Sequence, residues 1–366
     1  MNKWNIYPGG NMKQRLIVSM VLFAFIMVTS GSFAESDPCY SALHQGKFDE
    51  AIKICTQQIA KVVKGQNIAR SYLYRGLAYQ AKGQLDLATA DFDQAIKLNP
   101  KYAEAYNNRG NTYVLASKPD QGIADFNRAI KLNPKYDRAY FNRGVAYQAK
   151  DEFVKAIADY NKAIQLNPKL FQAYFYRGIA NVAQANFDAG IADFSKAIEL
   201  NPNYGEAYKD RGDTYMLMGQ LVKAAADFSK CIELDPKSEE AYNNRGVASL
   251  SKGQYDPAIA DFNKAIELNS KYGAAYKNRG AAYQSKGQFD QAITNYNKAV
   301  ELNPSDSAAY YNLACAYAAK KNIEESCTWL EKAINNGYNK WEHIKNDPDL
   351  ENIRGSACYQ KITKDK

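Results

Sequence analysis

The sequence predicts an all-α protein in which helical hairpins stack into an α-solenoid, and three observations carry that prediction. First, an Arg-Gly pair stands at Arg75-Gly76, Arg109-Gly110, Arg143-Gly144, Arg177-Gly178, Arg211-Gly212, Arg245-Gly246 and Arg279-Gly280, always 34 residues apart. Second, the apolar spacing within a unit is helical twice over: Tyr140, Gly144 and Tyr147 share one face, and Ile157, Tyr160 and Ile164 share another. Third, Gly83, Gly219, Gly253 and Gly287 fall between the two helices, and Asn-Pro pairs such as Asn99-Pro100 and Asn133-Pro134 follow the second. One such hairpin cannot bury its own apolar face, so the units must stack. In a chain of 366 residues this periodicity outranks any domain count based on length.

Taken in order, the chain opens with Met12-Lys13-Gln14-Arg15, an apolar run from Leu16 to Val28 broken only by Ser19, and the small residues around Ser32 and Ala34. That order predicts a secretory signal peptide over residues 1–34, cut after Ala34, and hence a periplasmic or secreted protein. The run is short for a spanning helix. An uncleaved anchor is the alternative, because the lead before Met12 is long, and Met12 is itself a candidate start. Residues 1–34 carry Lys3, Lys13 and Arg15 and no acid, so their removal lowers the net charge from +8 to +5. Acids and bases then interleave along the chain, which argues against nucleic acid or a membrane surface as partner.

Residues 35–68 read as a degenerate N-terminal capping repeat, since "GKFDEAIKIC" matches the later "GQFDQAITNY". Eight 34-residue units fill 69–340. Glycine inside a helix costs about 1 kcal/mol relative to alanine, so Gly110 and Gly144 need a compensating reason. Room for the bulk of Phe126 and Tyr160 supplies one. Unit 171–204 departs from the pattern at Asn181, and the last unit departs at Leu313, Ala314, Ser326 and Leu330. Residues 341–366 are expected to form a C-terminal capping helix with an apolar stripe of Trp341, Ile344, Leu350 and Ile353, and Asp347-Pro348 reads as a helix start.

Unit 103–136 sets Tyr106, Gly110, Tyr113, Gly122, Phe126, Ala129 and Pro134 in fixed order. This order resembles the tetratricopeptide repeat (TPR) family, over roughly three quarters of the chain. The resemblance implies a right-handed α-solenoid of TPR hairpins, as in exported bacterial multi-repeat proteins, with the first helices lining a concave groove that binds protein or extended peptide.

Within that frame, Asn108, Asn142, Asn244, Asn278 and Asn312 form one column, which resembles the asparagine ladder that holds a peptide backbone in long members of the family. A carboxamide offers donors and an acceptor to any main chain. Use in packing between helices is the equal alternative. Phe141 and Phe175, with Val145 and Ile179 one turn on, are candidate anchors for partner side chains, or else pack against each other between units. Lys209 with Asn244 and Lys277 with Asn312 are only fragments of the carboxylate clamp that some members use for chaperone tails. The completing bases are missing at Ala274 and Ala308.

Each recurrent arginine has an acid sixteen residues on, Asp91, Asp125, Asp159, Asp193, Asp227 and Asp261, which predicts one structural ion pair per hairpin rather than an anion-binding ladder. Arg279 faces Asn295 instead and is the one arginine set apart for anion binding. Of six cysteines, Cys39 and Cys55 have the same sixteen-residue separation and are the first candidate disulfide. Cys315 and Cys327 are the second, with Cys358 an alternative partner for either, and Cys231 stands where other units have alanine. No metal-ligand spacing, phosphate loop or nucleophile-base set occurs, so neither a cofactor nor catalysis is expected. The reading is a non-catalytic scaffold or adaptor of the cell envelope. Carbohydrate or cell-wall binding, suggested by 28 tyrosines, and self-assembly through solenoid ends are the alternatives.

Overall fold

The protein is described by a computed structural model over residues 37–61 and 68–364. The expected signal peptide, Ala34 and Met12 lie outside the described residues. The chain divides into two compact units that part between Asn201 and Pro202.

The N-terminal unit contains α1 (Pro38–His44), α2 (Phe48–Lys61), α3 (Ile68–Ala81), α4 (Leu85–Leu98), α5 (Ala103–Leu115), α6 (Pro119–Leu132), α7 (Asp137–Ala149), α8 (Phe153–Leu166), α9 (Phe171–Ala183) and α10 (Phe187–Leu200). The C-terminal unit contains α11 (Gly205–Leu217), α12 (Leu221–Leu234), α13 (Glu239–Ser251), α14 (Tyr255–Leu268), α15 (Gly273–Ser285), α16 (Phe289–Leu302), α17 (Ser307–Ala319), α18 (Ile323–Asn335) and α19 (Trp341–Asn346). A 3-10 turn, Pro348–Ile353, and α20 (Ala357–Thr363) close it. In each unit, a first helix packs on its hairpin partner, and that partner packs on the first helix of the next hairpin. This is an all-α fold of stacked helix pairs matching a TPR-like solenoid.

Close packing at the repeated glycines explains why the hairpins are alike. A Cβ on Gly144 would stand 2.7 Å from Tyr160 Cε1, and one on Gly110 equally close to Phe126. The aromatic rings thereby reach full burial beside Ala156 and Ala163, and each buried ring contributes roughly 1.5–3 kcal/mol. Second helices end where Asn99, Asn133, Asn167, Asn269 and Asn303 turn extended, each carboxamide oxygen accepting the N–H two residues on at 3.0–3.2 Å. The proline next to four of them has no N–H to offer the helix.

The C-terminal cap differs from the single helix expected over 341–366. Asp347 is extended and Pro348 cannot donate, so α19 stops, the chain makes a 3-10 turn capped by Asp347, and Ser356 caps the separate helix α20. Ile344, Leu350 and Ile353 of the expected stripe are fully buried, whereas Trp341 is only partly so.

Candidate functional site

The arginine column is built into the hairpins. Arg109 donates from Nε and Nη2 to the two carboxylate oxygens of Asp125 at 2.8 and 2.7 Å, and from Nη1 to Asp93 of the preceding hairpin at 2.6 Å. Tyr106 and Tyr113 stand on either side with ring centroids 5.6 and 5.9 Å from the guanidinium carbon. The same two-pronged pair joins Arg75–Asp91, Arg143–Asp159, Arg177–Asp193, Arg211–Asp227 and Arg245–Asp261. The hydrogen bonds to Asp125 push the Arg109 pKa further up, so its charge is permanent and already matched. These arginines align stacked helices and offer no free anion-binding ladder.

A second prong was not anticipated from the sequence. Nη1 of Arg143, Arg177, Arg245 and Arg279 reaches Asn127, Asn161, Ser229 and Asn263 on the preceding second helix. The signal was present as a polar residue two positions after each recurrent acid. Asn181, the departure from the tyrosine pattern, donates to Asp193 at 3.0 Å and joins the Arg177 pair.

The asparagine column behaves differently in the two compact units. In the N-terminal unit, Asn142 donates to Asn107 Oδ1 at 2.9 Å and Asn107 makes a long 3.5 Å contact to Asn108 Oδ1. Asn108 and Asn142 are half-buried. Among the described residues Asn108 Nδ2 and Asn142 Oδ1 take no hydrogen bond, which leaves a donor and an acceptor available on successive first helices. In the C-terminal unit Asn278 donates to Asn243 Oδ1 at 2.9 Å, Asn243 donates to Asn244, and Asn244 reaches Asp213 at 3.4 Å. Asn244, Asn278 and Asn312 are buried. For Asn244 and Asn278, the carboxamides tie neighbouring first helices together.

Phe141 is half-buried and Phe175 is 4% exposed. Both belong to an aromatic bed: Phe141 lies 5.9 Å from Tyr160 and 5.5 Å from Tyr176, and Phe175 lies 5.4 Å from Tyr176 and 5.8 Å from Phe194. Val145 is buried beside them in sequence and Ile179 half-buried. Phe141 and Ile179 are thus the members of the predicted anchor set that retain accessible surface.

Lys209 pairs with Glu240 at 3.3 Å and Lys277 with Asp306 at 2.8 Å, so both fragments of a carboxylate clamp are satisfied internally. A disulfide joins Cys39 to Cys55. The other joins Cys327 to Cys358, correcting the first pairing expected for Cys327; Cys315 is a buried free thiol, as is Cys231. Among the described residues no group of three or more His, Cys, Asp or Glu side chains could hold a metal ion, and no helix is long and apolar enough to cross a membrane.

A family profile described as Tetratricopeptide repeat matches residues 103–136, 137–170, 205–238, 239–272 and 273–306, one described as TPR repeat matches 70–116, and a further Tetratricopeptide repeat profile matches 295–328. The chain belongs to the tetratricopeptide repeat family. TPR structures similar to it include a tetratricopeptide repeat protein from Parabacteroides merdae ATCC 43184, at 21% identity over 68% of this chain and 98% of that one, with a TM-score of 0.50. PilW, a widely conserved type IV pilus biogenesis factor, matches at 20% identity over 57% of this chain and 96% of that one, with a TM-score of 0.52. YrrB, described as a TPR protein with an unusual peptide-binding site, matches at 25% identity over 50% and 95%, with a TM-score of 0.44. The first two likenesses are of fold alone. No curated protein matches the chain.

Proposed function

We propose that this TPR protein is a scaffold that binds an extended segment of a partner protein on the first helices of its N-terminal unit. The observation that carries the reading is the unspent hydrogen-bonding capacity of Asn108 and Asn142 on successive first helices, next to the half-exposed Phe141. A donor and an acceptor at that spacing suit a peptide main chain, whatever its side chains. Phe141 and Ile179 then offer apolar surface for selection, with the Phe141 ring held against Tyr160 and Tyr176. Asn244, Asn278 and Asn312 contribute to binding only if their buried carboxamides turn outward.

Two disulfides, Cys39–Cys55 and Cys327–Cys358, support placing the protein in an oxidising compartment, in line with the signal peptide expected over residues 1–34. We therefore assign the scaffold to the periplasm or the exterior. Replacement of Asn108, Asn142 and Phe141 together by alanine is expected to abolish capture of the native partner while leaving helicity unchanged. Capture that survives the triple variant defeats the reading.

A further inference from the structure

The geometry points to a carboxylate-binding site at Arg279, separate from the first-helix surface just assigned. Six sister arginines supply the internal standard. Each of them gives Nε and Nη2 to a single aspartate sixteen residues on, and Arg109 meets a second carboxylate, Asp93, through Nη1. Arg279 meets none. Its Nε donates to Asn295 Oδ1 at 2.7 Å and its Nη1 to Asn263 Oδ1 at 2.6 Å, both neutral amides. The Asn295 amide nitrogen is turned away to the Gln291 carbonyl at 2.7 Å, so Nη2, which elsewhere grips the carboxylate, has no acceptor among the described residues.

A half-buried guanidinium carrying unmatched charge is costly to keep, and the chain shows that it can dispense with it. In the last unit both members are gone together: Leu313 is fully buried, and Trp329 stacks on Tyr310 at 5.9 Å and holds Lys332 over its ring at 4.0 Å. Unit 273–306 keeps the arginine, its tyrosine neighbour Tyr276 at 5.3 Å and both polar prongs, and lacks the acid alone. Asn263 is exposed at the rim, so the guanidinium faces a route to solvent. The ligand class follows from the sisters: a carboxylate supplied from outside the chain, from an acidic side chain of a partner or from a small carboxylate. It would receive one charge-assisted hydrogen bond from Nη2 and the full positive charge of the group.

The test follows the Arg279 side-chain Nε–H signal by NMR in the full-length protein at constant ionic strength, with the signal assigned by its loss in Arg279→Lys. Acetate and a tetraglutamate peptide are titrated in parallel with inorganic phosphate. A saturable shift at Arg279 with acetate or the peptide, absent at the six paired arginines and abolished in Asn295→Asp, is the expected result. Tighter saturation by the peptide assigns an acidic protein segment, and equal saturation a small carboxylate. Response to phosphate alone, no response, or a shift that persists in Asn295→Asp overturns the site. Unchanged helicity in Asn295→Asp separates loss of binding from loss of fold.

Discussion

Tyr160 donates its hydroxyl to Gln148 Oε1 at 2.8 Å, and Tyr296 does the same to Gln284 at 3.0 Å, twelve residues apart across a hairpin in both units. Where the corresponding ring is Phe126, Phe194, Phe228 or Phe262, the facing residue is Val114, Val182, Met216 or Leu250. Phe92 is the exception: it faces Gln80, whose carboxamide donates instead to Thr112 of the next hairpin at 3.0 Å, so each of these three buried glutamines has a side-chain partner but only two of them the tyrosine hydroxyl. Gln284 Nε2 also donates to Asp349 of the C-terminal cap at 3.1 Å, whereas Gln148 Nε2 is buried without a partner. Tyr160→Phe leaves Gln148 wholly unsatisfied and is expected to cost about 1–2 kcal/mol. The double variant Tyr160→Phe/Gln148→Leu recovers most of that loss in a urea-unfolding double-mutant cycle; additive losses contradict the pairing.

Hairpin turns require a left-handed residue. Glycine provides it at Gly83, Gly219, Gly253 and Gly287, but Ser117, Asp151, Ala185 and Lys321 adopt φ near +60° in the equivalent turns. Left-handed backbone costs a residue with a Cβ roughly 1–2 kcal/mol. Ala185→Gly is accordingly expected to raise thermal stability by about 1 kcal/mol and Gly253→Ala to lower it by a similar amount, both read by circular dichroism.

Cys231 and Cys315 are buried free thiols, and burial pushes the Cys231 pKa up to about 12 and that of Cys315 well above its usual value. Native protein is expected to resist thiol reagents. After denaturation two thiols react, and all six react once the protein is also reduced. Reduction of Cys327–Cys358 releases the terminal segment from α18 and is expected to cost about 3 kcal/mol of stability.

Alkaline pH tests the buried phenols. Desolvation raises the pKa of Tyr74 from 10.0 to about 12 and raises those of Tyr102, Tyr136, Tyr160 and Tyr296 in the same direction. Folded-state values above the unfolded value mean that the unfolded chain loses protons first. Stability is full below pH 10 and falls progressively as pH rises toward the folded values. Helix loss and tyrosinate absorbance should rise together in a titration above pH 10; ionisation of these phenols with helicity intact contradicts their burial.

Much of the architecture was legible in the sequence because it depends on local and periodic terms. The 34-residue spacing, the Gly110–Phe126 contact and the Arg143–Asp159 pair each follow from residues within one hairpin. What escaped depends on neighbours brought in by stacking. Asn244 and Asn278 share their type and register with Asn142, yet their exposure is set by which residues pack over them. Nη1 of Arg143 finds Asn127 in the hairpin before. The C-terminal segment escaped for a related reason: Pro348 was readable as a helix start, but only the fold-back that buries Leu350 and Ile353 brings Cys358 to Cys327 and leaves Cys315 single.

The most direct test of the account is photo-crosslinking in native cells, with the probe at Phe141 on α7 and a control at Lys162 on α8, followed by mass spectrometry. The account predicts a discrete polypeptide captured at Phe141 and not at Lys162, with capture lost when Asn108 and Asn142 are replaced by alanine. Capture at both positions alike, or only of the protein itself, contradicts it.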